Sequence, residues 1–300
     1  MQLDTEKKVG APVRVPTVSK LFAISGLKWL LLLIPLLYVL VTLAFALFSI
    51  LKLSVMDKNG FTFAWFARFF TEPVYVQVLF LTMKTAFIVT VVSLLIAYPI
   101  AYVLAKLESK LWKQIILGVI LVSFWISLLV RTFAWTVLLQ KNGVVNKLLL
   151  SLGIIDKPLD LLYNTTGVVV GMTHILVPYM ILSLYAVMEG IDRNLLKAAE
   201  GMGARPWKAF VDIFLPLSLP GVLSGSLLVF VLGIGYFITP ALLGGNENTM
   251  ISQLIFQQTN IVLNWNFAAA IAVVLLITTL ILLWISMLIA KKYSVLKEVE

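Results

Sequence analysis

The chain has no cysteine and a single histidine, His174, in 300 residues. Disulfides, thiolate nucleophiles and cysteine metal sites are thereby excluded, and one imidazole without a second is a poor basis for a zinc or proton-relay centre. Acidic residues are scarce as well, 14 Asp and Glu against 23 Lys and Arg, and none lies in any of the six long apolar runs. A GxxxxGK[ST] phosphate cradle is missing, so the chain is not a nucleotide motor of that kind. Neither clustered carboxylates nor a nucleophile with a nearby base is present, which points away from an enzyme and leaves no metal or other cofactor to assign.

What is abundant is apolar surface. Hydrophobic residues make up 61% of the chain and the mean hydropathy is +1.03, whereas an ordinary globular domain is about half apolar. The net charge of +9 raises the possibility of nucleic acid as a partner. A soluble DNA-binding module, however, does not carry several apolar runs of about 20 residues, so the partner implied is membrane lipid.

The runs predict an all-α membrane protein with six transmembrane helices, at about 29–51, 79–104, 114–139, 166–188, 220–239 and 267–290. Residues 1–28 read as a polar, basic tail leading into an uncleaved first span, and 29–300 as a single transmembrane domain. Pro35 is placed to kink the first span, and Tyr98-Pro99 to bend the second. Between those spans Phe61, Phe63, Trp65, Phe66, Phe69 and Phe70 form an aromatic cluster of the kind found at headgroup level. Val144 to Leu152 suits a short amphipathic helix in an outer loop, closed by Gly153.

Charge placement sets the orientation. Of the 23 Lys and Arg, five fall in the amino-terminal tail, three in the loop after the second span, four in the loop after the fourth and three after the last, 15 in all. Positive-inside counting therefore puts both termini and these two loops in the cytoplasm.

Inside the membrane few residues stand out. Arg131 is the only charge of the third span, either snorkelling from its outer end or gating a solute. His174 suits a hydrogen-bonded contact between helices. Gly167 with Gly171, and Gly221 with Gly225, are small-xxx-small pairs, for packing within the chain or for a seam with another subunit. Trp125, Tyr179 and Tyr236 offer aromatic faces to a cation, or simply pack.

The stretch 192–216, DRNLLKAAEGMGARPWKAFVDIFLP, is the longest soluble-looking run after the first span. Asp192 can cap a short helix with apolar positions Leu195, Leu196, Ala199 and Met202, and Gly203 can end it with a positive φ. Pro206 suits the first turn of a second helix with Trp207, Phe210, Ile213 and Phe214 on one side and Lys208 and Asp212 in water.

This run resembles the EAA loop of ABC importer permeases: Glu-Ala-Ala, three residues, Gly, nine residues, Ile, one residue, Leu-Pro. Ala198, Ala199, Gly203, Ile213, Leu215 and Pro216 match, and Lys197 stands where the family has its Glu. Glu200, one turn along, could supply the missing carboxylate, or the partner surface could be changed to match. The runs FWISLLVRTFAWTVLLQKNGVVN from Phe124 to Asn146, Pro178-Tyr179-Met180, and Tyr236 to Gly245 look like the spermidine/putrescine branch, and most of the chain from about residue 75 onward fits it. The resemblance implies a type I permease core in a bacterial inner membrane. It also implies an ATPase subunit dimer that binds ATP and Mg, a second permease subunit and an extracytoplasmic solute-binding protein. The loop would then couple permease to ATPase, and the solute would be a polyamine. Without Asp or Glu in the spans, a non-polyamine solute (an amino-acid derivative, an opine or an inorganic ion) stays open, as does a self-contained channel or secondary transporter.

Overall fold

A computed structural model describes residues 25–57 and 60–297. The described chain is helical apart from one short hairpin, Met56–Asp57 paired antiparallel with Gly60–Phe61. Five helices are long and apolar enough to cross a bilayer, and a sixth span is counted if one sharply bent pair is taken as one. The chain divides into two units, residues 1–50 and 51–300. The first contains most of helix α1, Ser25–Val55, which passes through Pro35 unbroken. The predicted amino-terminal tail lies outside the described residues up to position 24.

In the second unit three helices form the centre: α3 (Pro73–Lys106), α7 (Thr165–Met188) and α10 (Leu215–Ile234). Each is apolar all round, so a stripe of large apolar residues cannot mark the side that packs. On α3 and α10 small residues mark it instead, because between apolar helices in lipid the gain comes from close backbone approach. On α3 the buried positions include Thr82, Thr85, Ala86, Thr90, Ser93, Ala97, Ala101 and Ala105, spaced three and four apart. Their hydroxyls are turned inward. Thr82 Oγ1 donates to Val78 O at 2.8 Å and accepts from Ile251 N at 2.9 Å, and Tyr98 and Ser218 share a 2.9 Å bond between α3 and α10.

The glycine pairs act within the chain. A Cβ on Gly221 or Gly225 would meet Val187 or Met180 of α7, and one on Gly171 would meet Leu243 and Thr239. At Gly167 the neighbour is backbone: a Cβ would stand 2.6 Å from Leu161 O.

Several boundaries differ from those expected. The second span starts at Pro73, with Pro at its first turn where no N–H is missed, and runs unbroken past Pro99. The last, α13, runs Trp265–Lys297, so Lys291, Lys292 and Lys297 continue a helix rather than forming a tail. The continuous third span is wrong. Helix α4 (Lys110–Trp125) stops at Ile126-Ser127, and α5 (Leu128–Leu139) with α6 (Val144–Ser151) leaves at 94° to it. The fifth span neither begins at Pro220 nor reaches Thr239. Helix α9 (Pro206–Ala209), a π-helical turn at Phe210–Phe214 and α10 form one rod from Pro206 to Ile234. The chain then breaks and restarts as α11, Ile238–Leu243. Helix α12, Ile251–Asn260, was not anticipated.

The aromatic cluster divides in two. Trp65, Phe66 and Phe69 of helix α2 (Ala64–Thr71) pack on Tyr75, Ile251, Leu254, Phe267 and Ile271, a second core, whereas Phe61, Phe63 and Phe70 stay exposed. Arg68 closes this core, 4.7 Å above the Phe267 ring and paired with Glu72 at 2.9 Å.

Gly167→Ala should lower the melting temperature of the detergent-purified protein, overpacking of this kind costing about 1–3 kcal/mol. Gly118→Ala, with nothing within 4 Å of the added Cβ, should leave it unchanged or higher. Equal melting of both variants would contradict the close approach of α7 to Leu161.

Candidate functional site

Two sites emerge, one at the polar end of the core and one where spans break.

The first is the elbow at 192–216. Asp192 caps helix α8 (Arg193–Gly201), its side chain accepting from Asn194 N at 2.9 Å. Gly203 takes φ +91°, letting Gly203 N and Ala204 N return to Glu200 O and Ala199 O, both at 3.0 Å. A Cβ there would be strained by the backbone alone. Pro206 then starts the rod.

The elbow has an inner and an outer side. Leu196, Ala199, Ala209 and Phe214 are buried in the main core. Trp207, Phe210 and Phe214 stack in series, at 5.6 and 5.8 Å between ring centroids, and Tyr102 of α3 meets Phe210 and Phe214 edge-on at 5.2 and 4.8 Å. On the outer side Lys197, Ala198 and Glu200 are exposed, with Met202 84% and Trp207 73% exposed. Lys197 makes no ion pair among the described residues. Ala199 to Ile213 enclose a cleft of about 630 Å³ with Arg205, Lys208 and Asp212 on its walls. Ile213, Leu215 and Pro216 are half-buried and belong to the rod, so the Leu-Pro pair marks its passage toward the core, not an exit from a loop. Beside the elbow, Lys113 at the start of α4 pairs with Glu189 at the end of α7, at 2.8 Å.

The second site is assembled by the two breaks. Thr132 of α5 and Thr239 of α11 share a 3.3 Å hydrogen bond in the interior. Phe124, just before the first break, meets Tyr179 edge-on at 4.8 Å. Tyr236, in the second break, packs against the main core, as Tyr179 does, and its carbonyl accepts from Ser252 Oγ at 2.5 Å. Trp125 is apart from them, 89% exposed at the bend. His174 is exposed and makes no hydrogen bond among the described residues. Its ring lies edge-on to Trp135 at 5.5 Å, so the expected hydrogen-bonded contact is replaced by an aromatic one.

Sequence reasoning missed Tyr102, the Lys113–Glu189 pair and the Thr132–Thr239 bond. None has a local signal: the partners lie 76 to 107 positions apart for the last two, and a tyrosine or threonine in an apolar run looks the same whether packed or free.

Comparison with known proteins agrees with this architecture. The model of the family described as "Binding-protein-dependent transport system inner membrane component" matches residues 97–295. The spermidine/putrescine transport system permease protein PotB of Salmonella typhimurium (strain LT2) is 35% identical over 241 residues, 79% of this chain and 83% of that protein. PotB of Escherichia coli (strain K12) is 35% identical over 206 residues, 69% and 74% of the two chains. The inner membrane ABC transporter permease protein YdcU of the same strain is 32% identical over 216 residues, 68% of each. In fold, a chain of a bacterial alginate ABC transporter, solved in complex with an alginate pentasaccharide-bound periplasmic protein, superposes with a TM-score of 0.72 at 17% identity, over 87% of this chain and 93% of that one. With a matched region spanning α7, α10, the elbow and both breaks, the chain belongs to the family of binding-protein-dependent transport system inner membrane components.

Proposed function

We propose that this chain is a permease subunit of an ATP-driven importer, that its elbow docks on a separate ATPase subunit dimer, and that the imported solute is a polyamine such as spermidine or putrescine. The observation that carries the reading is the 35% identity to PotB over most of both chains. The charge distribution supports an orientation with both termini and the elbow in the cytoplasm. ATP and Mg would be bound by the ATPase, with a second permease subunit completing the pathway and an extracytoplasmic binding protein delivering solute.

The mechanics follow from the rod. Its exposed end, Trp207 beside Met202, offers an apolar contact of the kind that anchors protein interfaces. Its other end is a core helix packed on α3 and α7. Force applied at Trp207 passes through the ring stack into α3 and along the rod into the membrane, because close-packed aromatic rings yield little. ATP-driven closure of the ATPase pair then rocks the spans between inward and outward openings. Tyr179 and Tyr236 offer aromatic faces to an ammonium group passing the breaks, and Trp125, at the bend itself, offers another.

Reconstitution of the chain with its ATPase, second permease and binding protein should give ATP-dependent uptake of labelled spermidine or putrescine into liposomes. Uptake by this chain alone without ATP would overturn the importer reading, and ATP-driven uptake confined to another solute would overturn the polyamine. Trp207→Ala should reduce recovery of the ATPase and solute-stimulated ATP hydrolysis by about tenfold or more, as loss of an interface anchor does, with this chain's own expression unchanged. Lys197→Glu should alter coupled ATP hydrolysis in the assembled complex. Parental stimulation and transport would mean that Lys197 only faces solvent.

A further inference from the structure

Helix α4 has no fully buried residue, and its half-buried positions include Lys113, Ile116, Leu117, Ile120 and Phe124, spaced so that they share one side. The helix it packs on is α7. The contact has a fixed point near each end. At the polar end Lys113 Nζ donates to both carboxylate oxygens of Glu189, at 2.8 and 3.1 Å, and stands 6.0 Å from the centroid of the Tyr185 ring. At the other end, one residue before the helix stops, Phe124 meets Tyr179 edge-on at 4.8 Å. Glu189 and Tyr179 both belong to α7, the first as its C-cap. The two fixed points lie roughly 15 Å apart along either helix, and Ile120 between them packs against the main core.

The ion pair is placed to hold. The Lys113 side chain is only 18% exposed, so water competes poorly for its ammonium. Glu189 stands at the negative end of the α7 dipole, where a carboxylate alone is unfavourable and a neighbouring cation offsets both. Glu189 also roots the elbow. Gly190 N and Ile191 N bond back to Val187 O and Met188 O at 3.1 and 3.2 Å, and Ile191 packs against the main core, so little slack separates Glu189 from the Asp192 that caps α8. At its far end α4 runs into the Ile126-Ser127 bend and then α5, whose Thr132 bonds Thr239 of α11. A displacement of the elbow therefore has a route to both breaks that does not use the Trp207 ring stack.

We propose that α4 is a strut clipped to α7, and that Lys113 and Glu189 are positioning residues through which movement of the elbow reaches the α4–α5 bend. The pair stays closed through the transport cycle, because a contact that transmits motion cannot open while it does so. The inference rests on the importer reading, which supplies the driving motion.

The test uses the complex of this chain with its ATPase, second permease and binding protein in liposomes, and reads uptake of labelled spermidine and ATP hydrolysis together. Lys113→Glu or Glu189→Lys sets like charges against each other and should lower the solute taken up per ATP by about tenfold, with assembly and hydrolysis retained. Combining the two exchanges the charges and should restore the ratio to within about threefold of the parental value. Because the chain has no cysteine, Lys113→Cys with Glu189→Cys beside cysteine-free partners gives a second measurement: a cleavable thiol-to-thiol cross-link should raise the ratio above that of the reduced protein. Parental ratios in both reversals, no rescue by the exchange, or loss of assembly rather than of coupling would each overturn the proposal. Uptake stopped by the cross-link and recovered on its cleavage would also overturn it, since the pair would then have to open in every cycle. Spermidine uptake by the parental complex without ATP would instead overturn the importer reading.

Discussion

Phe210 and Phe214 lie face to face on the rod, with Tyr102 of α3 set edge-on to both. This ring contact ties a segment that looks soluble to the helices that cross the membrane. Without it, Pro206 to Phe214 would be held mainly by Leu196 and Ala199 of α8 and by Tyr98, whose ring meets Phe210 at 6.2 Å. With it, the exposed Trp207 becomes the outer end of a stack that continues into the core. The π-helical turn at Phe210–Phe214 sits at this junction, where one extra residue in the turn adjusts which side of the rod faces α3.

A second constraint comes from the solvent the chain is built for. In lipid, apolar residues gain little by facing one another, so α3 and α10 meet their neighbours largely through Ala, Gly, Ser and Thr, while α7 fills the seams with Met, Leu and Ile beside its glycines. The same solvent does not tolerate open backbone, yet the chain interrupts two spans, at Ile126-Ser127 and after Ile234. The helices that follow the two interruptions meet where Thr132 bonds Thr239. The elbow, by contrast, carries exposed charges and the exposed Met202 and Trp207. The rod and α3 thus join the region of the breaks to the elbow proposed to dock.

The elbow was legible because its signals are local. A capping Asp192, a Gly203 that must take positive φ and a Pro206 that must start a helix act over a few residues, and the structure has all three as read. The spans were legible as runs but not as shapes. An apolar run of 26 residues from 114 to 139 is equally compatible with a straight helix and with two helices at 94°, because nothing at Ile126-Ser127 is a Pro or Gly and the bend is held by contacts with α7 and α11. The rod was misread for the opposite reason. Pro216 and Pro220 suggested boundaries, yet Pro216 falls near the start of α10, and the helix continues through Pro220 where neighbouring helices support it.

Composition and local chemistry alone were enough to establish a helical membrane protein, the number of apolar runs, the loops that carry basic charge, and the elbow with its motif. These depend on hydrophobic run length, charge counts and backbone preferences, all of which act within a few turns. Tertiary structure decided which small residues form the seams, that two spans are interrupted, that the second elbow helix is continuous with a span, and that Thr132 meets Thr239. Those features depend on contacts between residues far apart in sequence, in a chain whose spans are nearly uniform in hydrophobicity and so carry little trace of which neighbour each side will meet.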